Sequence, residues 1–194
     1  MVIIIFITTI AFSLYTLYKD RSLIEKMLFH PYSVYHGNQW YRIITSGFLH
    51  GDTTHLLFNM MTYYFFAFSL SDAVGTVNFT IIYFGSMIIA DLPTLKKHKD
   101  DYKYTALGAS GAISGLLFSF VILAPTHSLY MFFIPIPIPA WIFAIFYVVY
   151  SWFADKKGQD NIGHSAHLYG ALGGMVLTIL LIDGSLDNFI SKVL

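Results

Sequence analysis

The chain has 194 residues, of which 56% are hydrophobic and only 11% are charged. Soluble domains carry about 25% charged residues, so this composition and the mean hydropathy of +0.63 indicate a protein of the lipid bilayer. Eleven basic and eleven acidic residues give a net charge of zero, with no basic stripe that would bind nucleic acid. The sequence contains no cysteine, which excludes a thiolate metal site and a cysteine nucleophile within it. We expect one domain over residues 1–194.

Uncharged windows mark the candidate transmembrane helices, since a helix needs about 20 mostly apolar residues to cross the hydrocarbon layer. The windows predict six helices, one each in residues 1–18, 55–71, 73–90 and 162–182 and two in residues 104–154. The first window lacks a basic leader and a small-residue cleavage motif, so we interpret it as an uncleaved span. Gly75 is expected to turn spans two and three into a hairpin. The sequence therefore predicts an all-α membrane protein with six transmembrane helices.

Two stretches between the spans have a different composition. Residues 19–54 mix charge with aromatic clusters such as Trp40-Tyr41, which favours a position at the membrane interface. Four prolines separate spans four and five and do not fit inside a helix. They are Pro125, Pro135, Pro137 and Pro139.

Polar residues collect where spans two, four and six begin. These spans run in the same direction, so their first turns share one membrane face. Polar residues inside a membrane span are costly and usually mark function. The residues in question are His55 and Asn59 in span two, Ser110 in span four, and His164 and His167 in span six.

Glycines at a four-residue spacing predict that spans four and six pack closely. Gly111 and Gly115 in span four match Gly170 and Gly174 in span six. Such small-residue faces let two backbones approach each other. By itself, this pattern would favour simple helix association. A Ser-Gly start facing an Ala-His start also predicts that Ser110 and His167 come within hydrogen-bonding reach.

A serine and a histidine in this arrangement can perform nucleophilic catalysis, with His167 accepting the Ser110 proton. No acidic residue falls within spans two, four or six, and the nearest to His167 in sequence is Asp160, so the sequence predicts a dyad. The backbone N–H of Ser110, at a helix start, and the side chains of His55 and Asn59 are candidate oxyanion donors. The alternative role for His55 and Asn59 is hydrogen bonding between helices.

These residues resemble the rhomboid family of intramembrane serine proteases over nearly the whole chain. The resemblance rests on Trp40-Tyr41-Arg42, on His55 and Asn59, on Gly108-Ala109-Ser110-Gly111, and on Ala166-His167 with Gly170 and Gly174. It implies a six-helix bundle with a first loop partly embedded in the membrane, and a fifth span, starting near Pro139, that moves to admit substrate. It also implies Ser110 as nucleophile, His167 as base, and the Ser110 amide, His55 and Asn59 as oxyanion donors.

The same resemblance implies that the substrates are single-span membrane proteins cut in or near the transmembrane segment, with no metal or cofactor. The expected location is a bacterial plasma membrane. Two features depart from the family. Some members have an aromatic residue four positions after the nucleophile to pack on the histidine, whereas this chain has Ser114. Ten of the eleven basic residues also lie on the active-site side, where the positive-inside rule opposes an outward-facing site.

Other functions remain open. A catalytically silent relative would bind membrane proteins without cutting them, although such proteins typically lose the nucleophile or the base. A channel would need ionisable groups at mid-membrane depth on several helices, and these groups lie near one face. His164 and His167 form only a weak metal motif, and His164 is expected to contact water. His50 is expected either to bind water or substrate near the site or to have a structural role.

Overall fold

A computed structural model of the protein describes residues 1–131, 134–157 and 163–194. Helices dominate this part of the chain. In chain order the elements are α1 (Val2–Tyr18), α2 (Ser22–Met27), α3 (Pro31–His36), α4 (Arg42–Thr45), a 3-10 turn (Ser46–Phe48), α5 (Thr53–His98), α6 (Ser110–Leu123), β1 (Ser128–Met131), β2 (Ile134–Pro139), α7 (Ala140–Lys157), α8 (His164–Leu181) and α9 (Ser185–Val193).

The predicted hairpin of spans two and three is confirmed. Gly75 interrupts α5 with φ 77° and ψ 159°, a conformation that glycine adopts without steric cost. The Tyr63 ring lies 5.7 Å from the Tyr83 ring and 6.4 Å from that of Phe79. Twenty residues of straight helix would span roughly 30 Å, so the two arms of α5, residues 53–74 and 76–98, must fold back on each other. The second arm extends to His98, beyond the predicted end of span three.

Close glycine contacts join α6 to α8, as the spacing predicted. A Cβ atom added to Gly170 would collide with the carbonyl oxygen of Gly111, and one added to Gly174 would collide with that of Gly115. The second arm of α5 packs against the same face of α6. Side chains larger than hydrogen at these positions would force the helices apart. The three helices α5, α6 and α8 therefore form the core that positions the site.

The described chain is mostly helical, as predicted, and one β-hairpin forms at the proline-rich link between α6 and α7. Strands β1 and β2 pair in antiparallel register there, with Ser128 opposite Pro139 and Tyr130 opposite Pro137. Prolines occupy alternate positions of β2, so the backbone positions that lack an N–H group all lie on one side of the strand. An edge strand tolerates this and a helix does not. The described chain is thus mainly helical with one β-hairpin.

The described helices differ in whether they are long enough to cross a membrane. By length and composition, α5 and α8 can cross a membrane, while the apolar helices α1 and α6 have 17 and 14 residues. The count of six transmembrane helices therefore stays a prediction. Ile162, the expected first residue of the sixth span, lies outside the described residues, and α8 is described from His164 onward.

Arg42 organises the segment between α1 and α5. Its guanidinium is buried and donates hydrogen bonds to the carbonyl oxygens of Glu25 and Leu28, both at 2.9 Å, and to Gln39 Oε1 at 2.6 Å. A buried cation is stable only when its donors are satisfied. The predicted loop is therefore an ordered set of short helices held by one arginine, and Trp40 and Tyr41 remain exposed beside it.

Candidate active site

The first turns of α5, α6 and α8 meet around one cavity of about 1260 Å³. His55 and Asn59 line it from α5, Ser110 from α6 and His167 from α8. The four predicted site residues thus border a single space, as expected from parallel spans whose first turns lie at one level. The cavity also places the candidate nucleophile, base and oxyanion donors on different helices, which the glycine contacts hold together.

Ser110 is the first residue of α6. Gly108 precedes it with φ 124°, and its N–H donates to the Ser46 carbonyl at 3.0 Å. The first α6 residue whose amide bonds to a carbonyl is Ile113, which donates to Ala109 at 3.0 Å. Within the described part of the chain, no oxygen accepts a hydrogen bond from the Ser110 amide. This amide is available to bind an oxyanion, as expected at a helix start.

Gly108 also brings the His55 ring and the Ser110 hydroxyl close together. A Cβ atom at Gly108 would lie 3.0 Å from His55 Nε2, 2.9 Å from its Cε1 and 3.9 Å from Ser110 Oγ. The space beside Gly108 is therefore bordered by both side chains. A group that bonds to Ser110 Oγ would have the His55 Nε2 atom next to it, the position required of an oxyanion donor.

The start of α5 is fixed by Asp52. Its carboxylate accepts a hydrogen bond from the His55 amide at 2.8 Å, a common N-cap arrangement. Asn59, only 7% exposed, donates from Nδ2 to the His55 carbonyl at 3.2 Å. One of the two Nδ2 hydrogens of Asn59 is therefore engaged within its own helix, and one remains for an oxyanion, which makes Asn59 a weaker candidate donor than His55.

His167 lies in the first turn of α8, and its amide donates to the Gly163 carbonyl at 3.0 Å. The Ala166 carbonyl lies 3.5 Å from the Cβ position of Gly111, the residue after Ser110. The chain segments that carry the candidate base and the candidate nucleophile are therefore neighbours.

His164 does not contact water as the sequence suggested. It is 4% exposed, with its ring 5.6 Å from that of Tyr150 and 6.2 Å from that of His167. Packing of α7 against α8 buries it, an effect that helix position alone does not reveal. Among the described residues, no three His, Asp or Glu side chains form a group that could hold a metal ion.

Ser114 replaces the expected aromatic residue with a hydrogen-bonded link to α7. Its hydroxyl donates to the Ser110 carbonyl at 2.8 Å and lies 2.6 Å from the Tyr147 hydroxyl. The Tyr147 ring lies 5.4 Å from that of Phe118. An aromatic ring thus reaches this region from α7 instead of α6, which the spacing within α6 could not indicate.

Of the two roles considered for His50, binding of water or substrate and a structural role, its contacts favour the structural one. It is fully buried, and its Nδ1 lies 2.8 Å from the hydroxyl of Ser13 on α1. Burial lowers the pKa of His50 to about 3, so its ring is neutral. The ring packs edge-on against that of His55 at 4.9 Å. His50 therefore connects α1 with the start of α5 without bordering the cavity.

Two acidic residues that border the cavity, Asp52 and Asp91, were not among the predicted site residues. Asp91 lines it from the second arm of α5, directly after Ala90, where the third uncharged window ends. The charge predicts the end of the span, whereas the helix continues for seven residues beyond Asp91. Asp160, the acidic residue considered nearest to His167 in sequence, lies outside the described residues.

Known proteins are similar to this chain over most of its length. Residues 37–184 match the sequence model of the family described as "Rhomboid domain". The chain is 34% identical over 147 residues to the Bacillus subtilis protein named "Putative rhomboid protease YdcA", covering 75% of this chain and 69% of that protein.

Two mitochondrial proteins are also similar. RHOMBOID-like protein 12 of Arabidopsis thaliana is 31% identical over 144 residues, covering 66% of this chain and 43% of its own length. Rhomboid protein 1 of Saccharomyces cerevisiae is 31% identical over 137 residues, covering 69% and 40%. The chain therefore spans less than half the length of these mitochondrial relatives.

Proposed function

Because this chain belongs to the rhomboid family of integral membrane proteins, we propose that it is an intramembrane serine endopeptidase that uses Ser110 and His167. The observation that carries the proposal is the shared cavity, which Ser110, His167, His55 and Asn59 border from three helices. A second support is the free Ser110 amide at the start of α6. The chemistry of acyl transfer needs this set: a nucleophile, a base and donors for the developing negative charge.

In the proposed reaction, His167 takes the proton from Ser110 Oγ as the oxygen attacks the scissile carbonyl carbon. The carbonyl oxygen becomes an oxyanion, stabilised by the Ser110 amide and by His55, with a smaller contribution from Asn59. His167 then donates its proton to the leaving nitrogen as the C–N bond breaks, which leaves an ester on Ser110. His167 then takes a proton from water as the water oxygen attacks the ester carbon, and returns it to Ser110 Oγ as the ester C–O bond breaks, which releases the carboxylic acid and restores the serine.

The proposed substrates are single-span membrane proteins, cut in or near the transmembrane segment. The cavity is bordered by the first turns of α5, α6 and α8, where a helix that unwinds at the membrane surface could reach Ser110. The location we propose is a bacterial plasma membrane, supported by the similarity to the Bacillus subtilis protein. No metal or cofactor takes part in the proposed steps.

A catalytically silent relative that only binds membrane proteins is not favoured. Such a protein would not need a serine at a helix start with a free amide, nor a histidine bordering the same cavity. Both features are present in this chain.

The proposal is tested by proteolysis in a defined membrane. The purified protein is reconstituted in liposomes with a panel of single-span substrates, alongside the Ser110→Ala and His167→Ala variants. We expect cleavage by the unmodified protein and none by either variant, with the double variant no worse than the single ones, because members of one catalytic unit are not additive. Cleavage that survives in purified Ser110→Ala protein would overturn the assignment.

A further inference from the structure

Asp91 lies at the same level in the bundle as Ser110. Along the second arm of α5, Ser86 abuts Gly115 of α6, and Ala90 Cβ lies 2.7 Å from the Cβ position of Gly111. These contacts are four residues apart on both helices, so the helices run antiparallel in a fixed register. Asp91 and Ser110 each lie one residue beyond the Ala90–Gly111 contact, at about the same height along the two helices. Both residues border the same cavity.

The Asp91 carboxylate has no partner among the residues that the structure describes. The ion pairs of the described chain join His36 to Asp100 and His98 to Asp101. No described group donates a hydrogen bond to Asp91 either, although its side chain is only partly exposed. A carboxylate held away from bulk water without a partner is costly, and this cost is relieved when a cation with its own N–H donors binds.

The other charged groups around the cavity do not satisfy Asp91. Lys103 borders the same space but forms no ion pair with it. Asp52 also borders it, and its carboxylate already caps α5 through the His55 amide at 2.8 Å. His55, His167 and Tyr104 are the other ionisable groups that border this cavity. Asp91 is therefore the less exposed of the two carboxylates on this wall, and both of its oxygens can accept hydrogen bonds from a ligand.

We propose that Asp91 forms a subsite for a lysine or arginine side chain of the polypeptide that lies at Ser110. The inference rests on the proposed function, since it places a substrate main chain in this cavity. Lysine and arginine side chains are long and flexible enough to reach a neighbouring helix from that main chain. Both residues occur beside transmembrane segments, with an excess at the cytoplasmic end. Partial burial of Asp91 strengthens the attraction between the two charges.

The test compares substrates that differ at one position near the cut. A series of single-span substrates carries arginine, lysine or glutamine at each of several positions flanking the cleavage site. With the unmodified protein, we expect arginine or lysine at one position to raise kcat/KM about tenfold over glutamine. Asp91→Asn should abolish this preference by lowering kcat/KM for the arginine and lysine substrates to the value for the glutamine substrate. Asp91→Glu, which retains the charge, should keep part of the preference.

A matched control is Asp72→Asn, which removes an exposed carboxylate at the far end of the first arm of α5. It should leave the basic-residue preference intact. The inference is overturned if the unmodified protein shows no preference for a basic side chain at any position, or if Asp91→Asn retains the preference. A preference lost equally in Asp72→Asn would also overturn it, since the effect would then reflect overall charge.

Binding to the inactive protein separates this inference from the proposed function. Fluorescent versions of the arginine and glutamine substrates are titrated into Ser110→Ala protein and into the Ser110→Ala, Asp91→Asn double variant. We expect the arginine substrate to bind about tenfold more tightly than the glutamine one, and only when Asp91 is present. If the arginine substrate binds the two proteins with equal affinity, the subsite is contradicted. If the unmodified protein cleaves no substrate but the binding difference is still present in Ser110→Ala protein, only the proposed chemistry is contradicted.

Discussion

The hydroxyl of Ser114 is hydrogen-bonded at once to the Ser110 carbonyl, at 2.8 Å, and to the Tyr147 hydroxyl, at 2.6 Å. A serine hydroxyl has one proton to donate, and the Ser110 carbonyl is only an acceptor. Tyr147 must therefore donate to Ser114, and Ser114 to Ser110. This chain of hydrogen bonds connects α7 with the first turn of α6, which carries the proposed nucleophile.

The first prediction concerns the energetic coupling of Ser114 and Tyr147. Tyr147→Phe should lower the free energy of unfolding by about 0.6 kcal/mol, the average for a hydrogen bond between membrane helices. Ser114→Ala should remove the same bond. The double variant should therefore lose less unfolding free energy than the sum of the losses in the two single variants. Unfolding of all four proteins in detergent measures this coupling. Strictly additive losses would show that the bond contributes nothing to the association of α6 and α7.

The second prediction concerns the contact between α6 and α8. In Gly170→Ala, the new methyl group would collide with the Gly111 backbone, which cannot rotate away as a side chain would. We expect a loss of about 1–3 kcal/mol in stability and a sharp loss of proteolysis, because Ser110 and His167 would move apart.

The control for Gly170→Ala is Gly51→Ala. A methyl group at Gly51 would meet its nearest neighbour, Leu107 Cδ1, at 3.9 Å, an ordinary van der Waals contact. This variant should keep its stability and activity. An equal effect of both substitutions would contradict the account of the α6–α8 contact.

Sequence reasoning predicted the parts of the fold that depend on local patterns. Gly75 marked the hairpin turn, and the glycine spacing in α6 and α8 marked their contact. It failed where distant segments decide the outcome. The β-hairpin depends on pairing between β1 and β2, and the burial of His164 depends on Tyr150 of α7.

The same limit applied to the site. His55, Asn59, Ser110 and His167 border one cavity because each stands near the start of a parallel span, and their catalytic roles stay predictions. Asp91 belongs to an antiparallel arm, and only the packing of Ala90 on Gly111 brings it level with Ser110. Tyr147 reaches the site from α7, and no spacing within α6 points to it.

The third prediction separates the two candidate side-chain donors. His55→Ala should reduce kcat with little change in KM, because an oxyanion donor acts mainly in the transition state. The loss should approach the roughly 10²-fold effect of a single strong donor. Asn59→Ala should reduce kcat less, since its Nδ2 already donates to the His55 carbonyl. Kinetics with one purified substrate measures both effects. A larger loss of kcat in Asn59→Ala than in His55→Ala would reverse these assignments.

The fourth prediction concerns orientation in the membrane, where the resemblance and the positive-inside rule disagree. The chain contains no cysteine, so the labelling of a single introduced cysteine reports which side of the membrane that residue faces. One variant carries the cysteine at Lys97, beyond the active-site end of the bundle. Two others carry it at the opposite end, at Asp72 or at Lys192. A membrane-impermeant thiol reagent is applied to intact cells. With an outward-facing site, Lys97→Cys should be labelled and the other two should not. The reverse pattern would place the site at the cytoplasmic face and leave its chemistry unaffected.

The central claim is that Ser110 is a nucleophile activated by His167, and covalent labelling tests it without knowledge of the substrate. A fluorophosphonate probe is added to the purified protein in detergent, and the labelled residue is identified by mass spectrometry. We predict labelling at Ser110 that disappears in both the Ser110→Ala and the His167→Ala variants, while Ser114→Ala is still labelled at Ser110. Labelling at another residue, or undiminished labelling of Ser110 in the His167→Ala variant, would contradict the account.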